Sequence, residues 1–181
     1  MIPSAHHISL LVMLLATQAH AADAPAALKG KSVVVTWTET RQQRHVGEPN
    51  FHSVDASHNL SMYISTAGRV FSRQTNTTRT GSGATEQVSG ESGGAYPTRT
   101  PLFAGHSMTM VGETKGGARR TLIEFDTSFE SCSARVATAF QSGKTSVSLS
   151  PITKKYVEIK SVTANGASCS VKSGNVLAGA T

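Results

Sequence analysis

Aromatic residues are scarce in this sequence, with one Trp, three Tyr and six Phe among 181 residues. Long basic runs are missing too: Arg41, Arg44, Arg69, Arg73, Arg79, Arg99, Arg119, Arg120, Lys154, Lys155 and Lys160 lie scattered, and no run exceeds two. Nucleic-acid binders cluster basic residues on one face and interleave aromatics, so a nucleic-acid partner is not expected. No apolar run approaches the roughly 20 residues of a spanning helix, so the chain is expected not to span a membrane. Cysteine is limited to Cys132 and Cys169, with no CxxC pair, which argues against a thiolate metal cage. No stretch carries the apolar spacing of a convincing amphipathic helix.

The longest apolar run stands at the start. Residues 8–16 are almost wholly apolar and lead into Thr17-Gln18-Ala19-His20-Ala21, where Ala19 and Ala21 make the small-x-small pattern that signal peptidase requires. Residues 1–21 therefore read as a cleavable signal peptide, although Lys and Arg are absent ahead of the run. The expected product is exported, to the periplasm or the outside, and no Cys follows the run to take a lipid. Residues 22–30 read as a flexible N-terminal segment, 31–175 as a single β-rich domain and 176–181 as a tail. About 160 residues suffice for one core that buries roughly two-thirds of the unfolded surface. The net charge of +6 allows an anionic envelope component as partner.

In an oxidising compartment an isolated pair of cysteines is most simply one disulfide, so Cys132 and Cys169 are expected to bridge. Elsewhere apolar residues recur with period two, the pattern of half-buried strands. Val33, Val35 and Trp37 share one side of residues 32–40, and Leu60, Met62 and Ile64 share one side of 60–66. Ala67-Gly68 then turns the chain into 69–75, a two-residue hairpin. A second hairpin is expected across 106–126 and a third across 156–172, turning at Asn165-Gly166. Residues 76–100, rich in Gly, Ser and Thr, read as a long loop. About eight strands and no helix predict an all-β antiparallel meander, either a closed or partly closed barrel or a sandwich. The opening from Gly30 to Trp37 resembles the first strand of a lipocalin-type barrel. In that family Gly and Trp stand two apart, so no binding residues carry over.

Three patterns could carry chemistry. Gly90-Glu91-Ser92-Gly93-Gly94 satisfies G-x-S-x-G, the turn on which a hydrolase serine sits, but no apolar strand precedes it and no helix follows. His45, His52, His58 and Asp55 are the one cluster with the ligand types that suit Zn or Cu, placed in the polar stretch between the first two strands. Glu124, Asp126 and Glu130 are the nearest thing to a carboxylate pair for glycoside chemistry, with Glu124 and Asp126 opposite Ile123 and Phe125 on a solvent face. Asn59-Leu60-Ser61 and Asn76-Thr77-Thr78 are glycosylation sequons only in a eukaryotic source. No cofactor is implied. The sequence thus favours a non-catalytic exported β-domain that binds a small apolar ligand inside its barrel or an envelope partner. A secreted hydrolase or metal-binding protein using Ser92 or the His45–His58 region is the rival, and a purely structural envelope protein is the third reading.

Overall fold

A computed structural model describes residues 23–79, 85–92, 101–114, 117–140, 144–149 and 154–177. The segment 1–21, expected to be a signal peptide, lies outside the described residues. Ten antiparallel strands make up most of the rest: β1 Lys31–His45, β2 His52–Ile64, β3 Val70–Arg79, β4 Thr85–Ser92, β5 Leu102–Ala104, β6 Ser107–Thr114, β7 Gly117–Phe125, β8 Cys132–Phe140, β9 Ser146–Leu149 and β10 Tyr156–Ser173. Six of them form one sheet in the order β4-β3-β2-β1-β10-β9, and four form another in the order β5-β6-β7-β8. The larger sheet curls into a half-barrel and the smaller sheet covers its concave face, so the all-β antiparallel class is the observed one.

Alternation sets this arrangement, because successive side chains of a strand point to opposite faces. Val33, Val35 and Trp37 of β1 and Leu60, Met62 and Ile64 of β2 all face inward and are 0–6% exposed. Met108, Ile123 and Phe125 come down on them from the smaller sheet, with Phe103 and Phe129 closing the end. Each fully buried side chain of this size contributes roughly 1.5–3 kcal/mol. The Cys132–Cys169 disulfide joins β8 to β10, and so ties the two sheets together covalently. Such a bridge fits an oxidising compartment outside the cytoplasm.

Four expectations need correction. The segment 22–30, expected to be flexible, is tied down from Asp23 onward, since Ala24 and Leu28 join the core and a short 3-10 turn spans Ala26–Leu28. Residues 76–79 and 85–92 of the expected loop are strand instead: β3 runs to Arg79 and pairs with β4. Ladder hydrogen bonds satisfy those backbone groups without needing apolar side chains; the remainder of that loop, 80–84 and 93–100, lies outside the described residues. His52, Asp55 and His58 lie within β2, not in a loop.

The fourth correction concerns Asn165-Gly166, which makes no hairpin. β10 runs unbroken for 18 residues because β1 is a single long partner for both of its halves. Thr36 pairs with Ser168 while Thr38 pairs with Asn165, so Gly166 and Ala167 stand against Trp37 alone, a β-bulge with Gly166 at φ 58°. A Cβ there would meet nothing within 4 Å, so the penalty of a side chain is purely conformational. Gly166→Ala is expected to lower stability by about 1–2 kcal/mol in urea unfolding. An unchanged midpoint would show that the bulge does not need the left-handed conformation.

Candidate functional site

The core face of β1 does not stay apolar. Beyond Trp37 the same inward side carries Glu39 and Arg41, and on β2 the phase of Leu60 and Met62 brings in His58, which pairs with Trp37. The neighbours of Glu39 across the sheet are Ala56 and Ala164. Their small side chains leave room above the carboxylate for two guanidinium groups. One comes from Arg41 on the same strand and the other from Arg119 on β7, whose terminal nitrogen donates to both carboxylate oxygens at 3.0 and 3.2 Å.

Glu39 is thus 1% exposed and surrounded by donors. Arg41 pairs with Oε1, His58 Nε2 lies 2.9 Å from the same oxygen, and Trp37 Nε1 donates to Oε2 at 3.4 Å. Burial on its own pushes the carboxyl pKa up, but the His58 hydrogen bond and the charges of Arg41 and Arg119 outweigh it and hold the pKa at about 2. The carboxylate is therefore ionised at neutral pH, and an unpaired buried carboxylate would not be. Burial lowers the Arg119 pKa from its usual value, while Glu39 acts to raise it.

A second layer holds the imidazole. The His58 ring stacks on Trp37 with centroids 4.6 Å apart and planes within 5°. Its Nδ1 lies 2.6 Å from Asn76 Oδ1, an oxygen that also accepts from Gln74 Nε2 at 2.9 Å. Arg119 in turn sits over the Trp37 ring at 5.6 Å, with its Nε donating to Thr138 Oγ1 at 3.4 Å. β1, β2, β3, β7 and β8 all contribute, so this polar belt crosses from one sheet to the other just beyond the apolar core.

The belt holds more positive charge than it uses. Two guanidinium groups face one carboxylate, and among the described residues neither has another acidic partner. Both arginines keep some contact with solvent, their side chains being 19% and 25% exposed. The covering sheet explains this opening: β7 begins at Gly117, two residues before Arg119, whereas β1 continues from Glu39 to His45.

The chain matches no known protein family, no curated protein and no solved structure.

The residues singled out from sequence fare unevenly. His58 belongs to the belt, while Asp55 lies on the opposite face of β2, where it accepts from Thr40 Oγ1 at 2.9 Å. His52 is exposed at the start of β2 and His45 ends β1. Alternation turns Asp55 away from the histidines and the length of β2 keeps His52 from His58, while His45 stands two residues past Gln43, the partner of His52; among the described residues no three His, Cys, Asp or Glu side chains are grouped to hold a metal. Ser92 is the last residue of β4, and its side chain lies outside the described residues. Glu124 pairs with Arg135 at 2.8 Å on the outer face. Asp126 shapes the turn after β7: the Glu130 amide lowers its pKa most, desolvation opposes this, and the Ser128 hydroxyl and the Ser131 amide and hydroxyl add to the lowering, to about 2. Those two carboxylates do not share a cleft.

Glu39, Arg41 and Arg119 went unnoticed in the sequence, yet a signal existed. Extending the Val33-Val35-Trp37 alternation by four residues places Glu39 and Arg41 on the core face, and extending Ile123 back by four places Arg119 there. Charged residues in phase with a core stripe mark a buried polar site, since such groups are almost never buried unpaired.

A second depression lies on the outer face at the same level. It measures about 390 Å³ and is lined by Thr36, Trp37, Thr38, Ser57, His58, Asn59, Thr75 and Thr77 beside Gly166. Its hydroxyls partly satisfy their neighbours: Thr36 Oγ1 is 2.7 Å from Ser168 Oγ, and Thr38 Oγ1 donates to Asn165 O. No Asp, Glu, Lys or Arg lines it.

Proposed function

We propose that this is a non-catalytic exported β-domain that binds an anionic envelope component, with Arg41 and Arg119 supplying the recognition. The observation that carries this reading is the charge imbalance at the belt, where two partly exposed guanidinium groups share one buried carboxylate. Guanidinium offers five N–H donors, so each arginine can hold Glu39 and still present donors to a carboxylate or phosphate entering from the open side. Glu39 fixes both side chains in place beforehand, which lowers the entropic cost of binding.

Binding of a small apolar ligand is less well supported. Val35, Trp37, Met62 and Ile64 occupy the interior and are no more than 2% exposed, so the space a carrier would keep free is filled by the protein's own side chains. Export follows from the leader at 1–21 and accords with the disulfide; it leaves the periplasm and the outside equally open as the final address.

The test uses inorganic phosphate and succinate as probes, with succinamide as the neutral control. Calorimetry is expected to show millimolar or tighter binding of one of the two anions and none of the control. Arg41→Gln should weaken that binding at least tenfold, while Arg119 still pairs Glu39 and preserves the fold. Equal behaviour of anion and neutral control, or an Arg41→Gln protein that binds as the parent does, would overturn the reading.

A further inference from the structure

Five large apolar side chains are exposed among the described residues: Val46, Leu102, Leu149, Tyr156 and Val176. Three of the five stand together. Val46 follows the last residue of β1, and its amide donates to Tyr156 O at 2.9 Å. Tyr156 opens β10 and pairs directly with Leu149, the last residue of β9. Neighbouring strands lie about 4.8 Å apart, so the three side chains form a row across one end of the larger sheet. They are 58%, 59% and 52% exposed.

Their phase shows that this row is not core. Val157, next to Tyr156, is the buried neighbour and points inward, so Tyr156 and its partner Leu149 point out on the convex face. The belt with Arg41 and Arg119 lies on the concave face, separated from the row by the sheet itself.

The rim of the row is basic. Arg44 and Glu158 cancel one another, with Arg44 Nε donating to Glu158 Oε2 at 2.7 Å, and Thr145 Oγ1 also donates to that carboxylate. What remains is Lys144, Lys154 and Lys160 against Glu48, whose carboxylate accepts the His45 amide. Phe51 adds an aromatic ring at the same end, with Arg44 4.4 Å and Lys160 5.7 Å from its centroid.

Exposed apolar side chains rimmed by cations mark an interaction site, and the combination of Tyr, aliphatic residues and lysines suits the headgroup region of a bilayer. There the ring and aliphatic groups enter the acyl boundary, while the lysines reach back to lipid phosphates. We propose that this end of the protein docks on an anionic membrane surface through Val46, Leu149 and Tyr156, with Lys144, Lys154 and Lys160 supplying the electrostatic attraction. The inference does not depend on the anion-binding belt, and the two can be tested separately.

Vesicle co-sedimentation of the disulfide-bonded protein tests it, with one leader state used for all variants. Vesicles of phosphatidylcholine alone are compared with vesicles containing about one-third phosphatidylglycerol. Binding is expected to the anionic vesicles only and to fall as salt rises, since the lipid potential decays within a Debye length of about 10 Å at 0.1 M. Lys154→Gln should weaken it about fivefold, the factor for one lysine near an anionic surface. The pair Leu149→Ser and Tyr156→Ser should weaken it tenfold or more. Both side chains are exposed, so unchanged thermal unfolding is expected to accompany these losses. Arg41→Gln should leave vesicle binding unchanged, which separates this surface from the belt. Equal binding to the two vesicle types, no binding to either, or indifference to the Leu149 and Tyr156 changes would each overturn the proposal.

Discussion

Glu39→Gln is expected to destabilise the protein by about 3–5 kcal/mol, the range seen when one partner of a buried ion pair is removed. The amide keeps the volume and one acceptor oxygen but removes the only negative charge that Arg41, Arg119 and His58 share. Two guanidinium groups would then repel one another across a pocket that only partly admits water. Arg119→Gln should cost less, because Arg41 remains to neutralise Glu39 on the same strand. Urea unfolding of the two variants checks this order, and a Glu39→Gln protein as stable as the parent would show that the belt contributes nothing to folding.

The same residue sets an acid limit. The Glu39 pKa lies at about 2 in the folded protein against an ordinary 4.5, so the folded state favours the ionised form. A depressed carboxyl pKa contributes stability in full above the unfolded value and loses it as pH falls through the folded one. The contribution, on the order of 3 kcal/mol from the size of that shift, should therefore be present above pH 4.5 and decline between about 4.5 and about 2. The gap in stability between the parent and Glu39→Gln is expected to narrow across that window. A gap that stays constant down to pH 2 would place the titration elsewhere.

Removal of the disulfide is the second large effect. Cys132 and Cys169 are 37 residues apart in sequence, and closing a loop of that length restricts the unfolded chain by about 4 kcal/mol. Here the bridge also spans two sheets that, among the described residues, share no ladder hydrogen bonds, since β8 and β10 belong to different sheets. Cys132→Ala with Cys169→Ala is expected to lower the urea midpoint by an amount equivalent to about 3–4 kcal/mol. The parent under reducing conditions should show the same shift. A loss below about 1 kcal/mol would mean that packing of Val33, Met108 and Ile123 alone holds the sheets together. Combined with Glu39→Gln, the loss should be near additive, because the two links join the sheets through different strands and share no partner.

The strands could be read from residue order wherever alternation was strong. Val33, Val35 and Trp37, or Leu60, Met62 and Ile64, declare their faces through a local rule that needs no knowledge of the rest of the chain. Asn165-Gly166 shows where the local rule fails. The dipeptide fits a tight turn, but β1 offers continuous pairing on both sides of it, and ladder hydrogen bonds over 18 residues outweigh the preference of two. β4 was missed for a related reason. A strand that is Ser-, Thr- and Gly-rich carries no apolar period, and its partner β3 rather than its own composition makes it a strand.

The belt was hidden by distance. Glu39 and Arg119 are 80 residues apart, and nothing near either one announces the other. The imidazole of His58 groups it, by sequence alone, with His45, His52 and Asp55, its neighbours along the chain. Strand geometry separates most of that group: Asp55, three residues from His58 on β2, faces the opposite way, and His52 and His58, six apart on the same strand, stand about 20 Å from one another.

Composition and alternation alone thus determined the all-β class, the core faces of β1 and β2 and the pairing of Cys132 with Cys169, because each depends on local period or on there being only two cysteines. The tertiary structure decided which strands neighbour which, that β1 lies between β2 and β10, and that Glu39, Arg41, His58 and Arg119 meet over Trp37. Those facts depend on how a curled sheet is covered by a second one, and only the closed packing of the two sheets brings charges 80 residues apart in sequence within hydrogen-bonding distance.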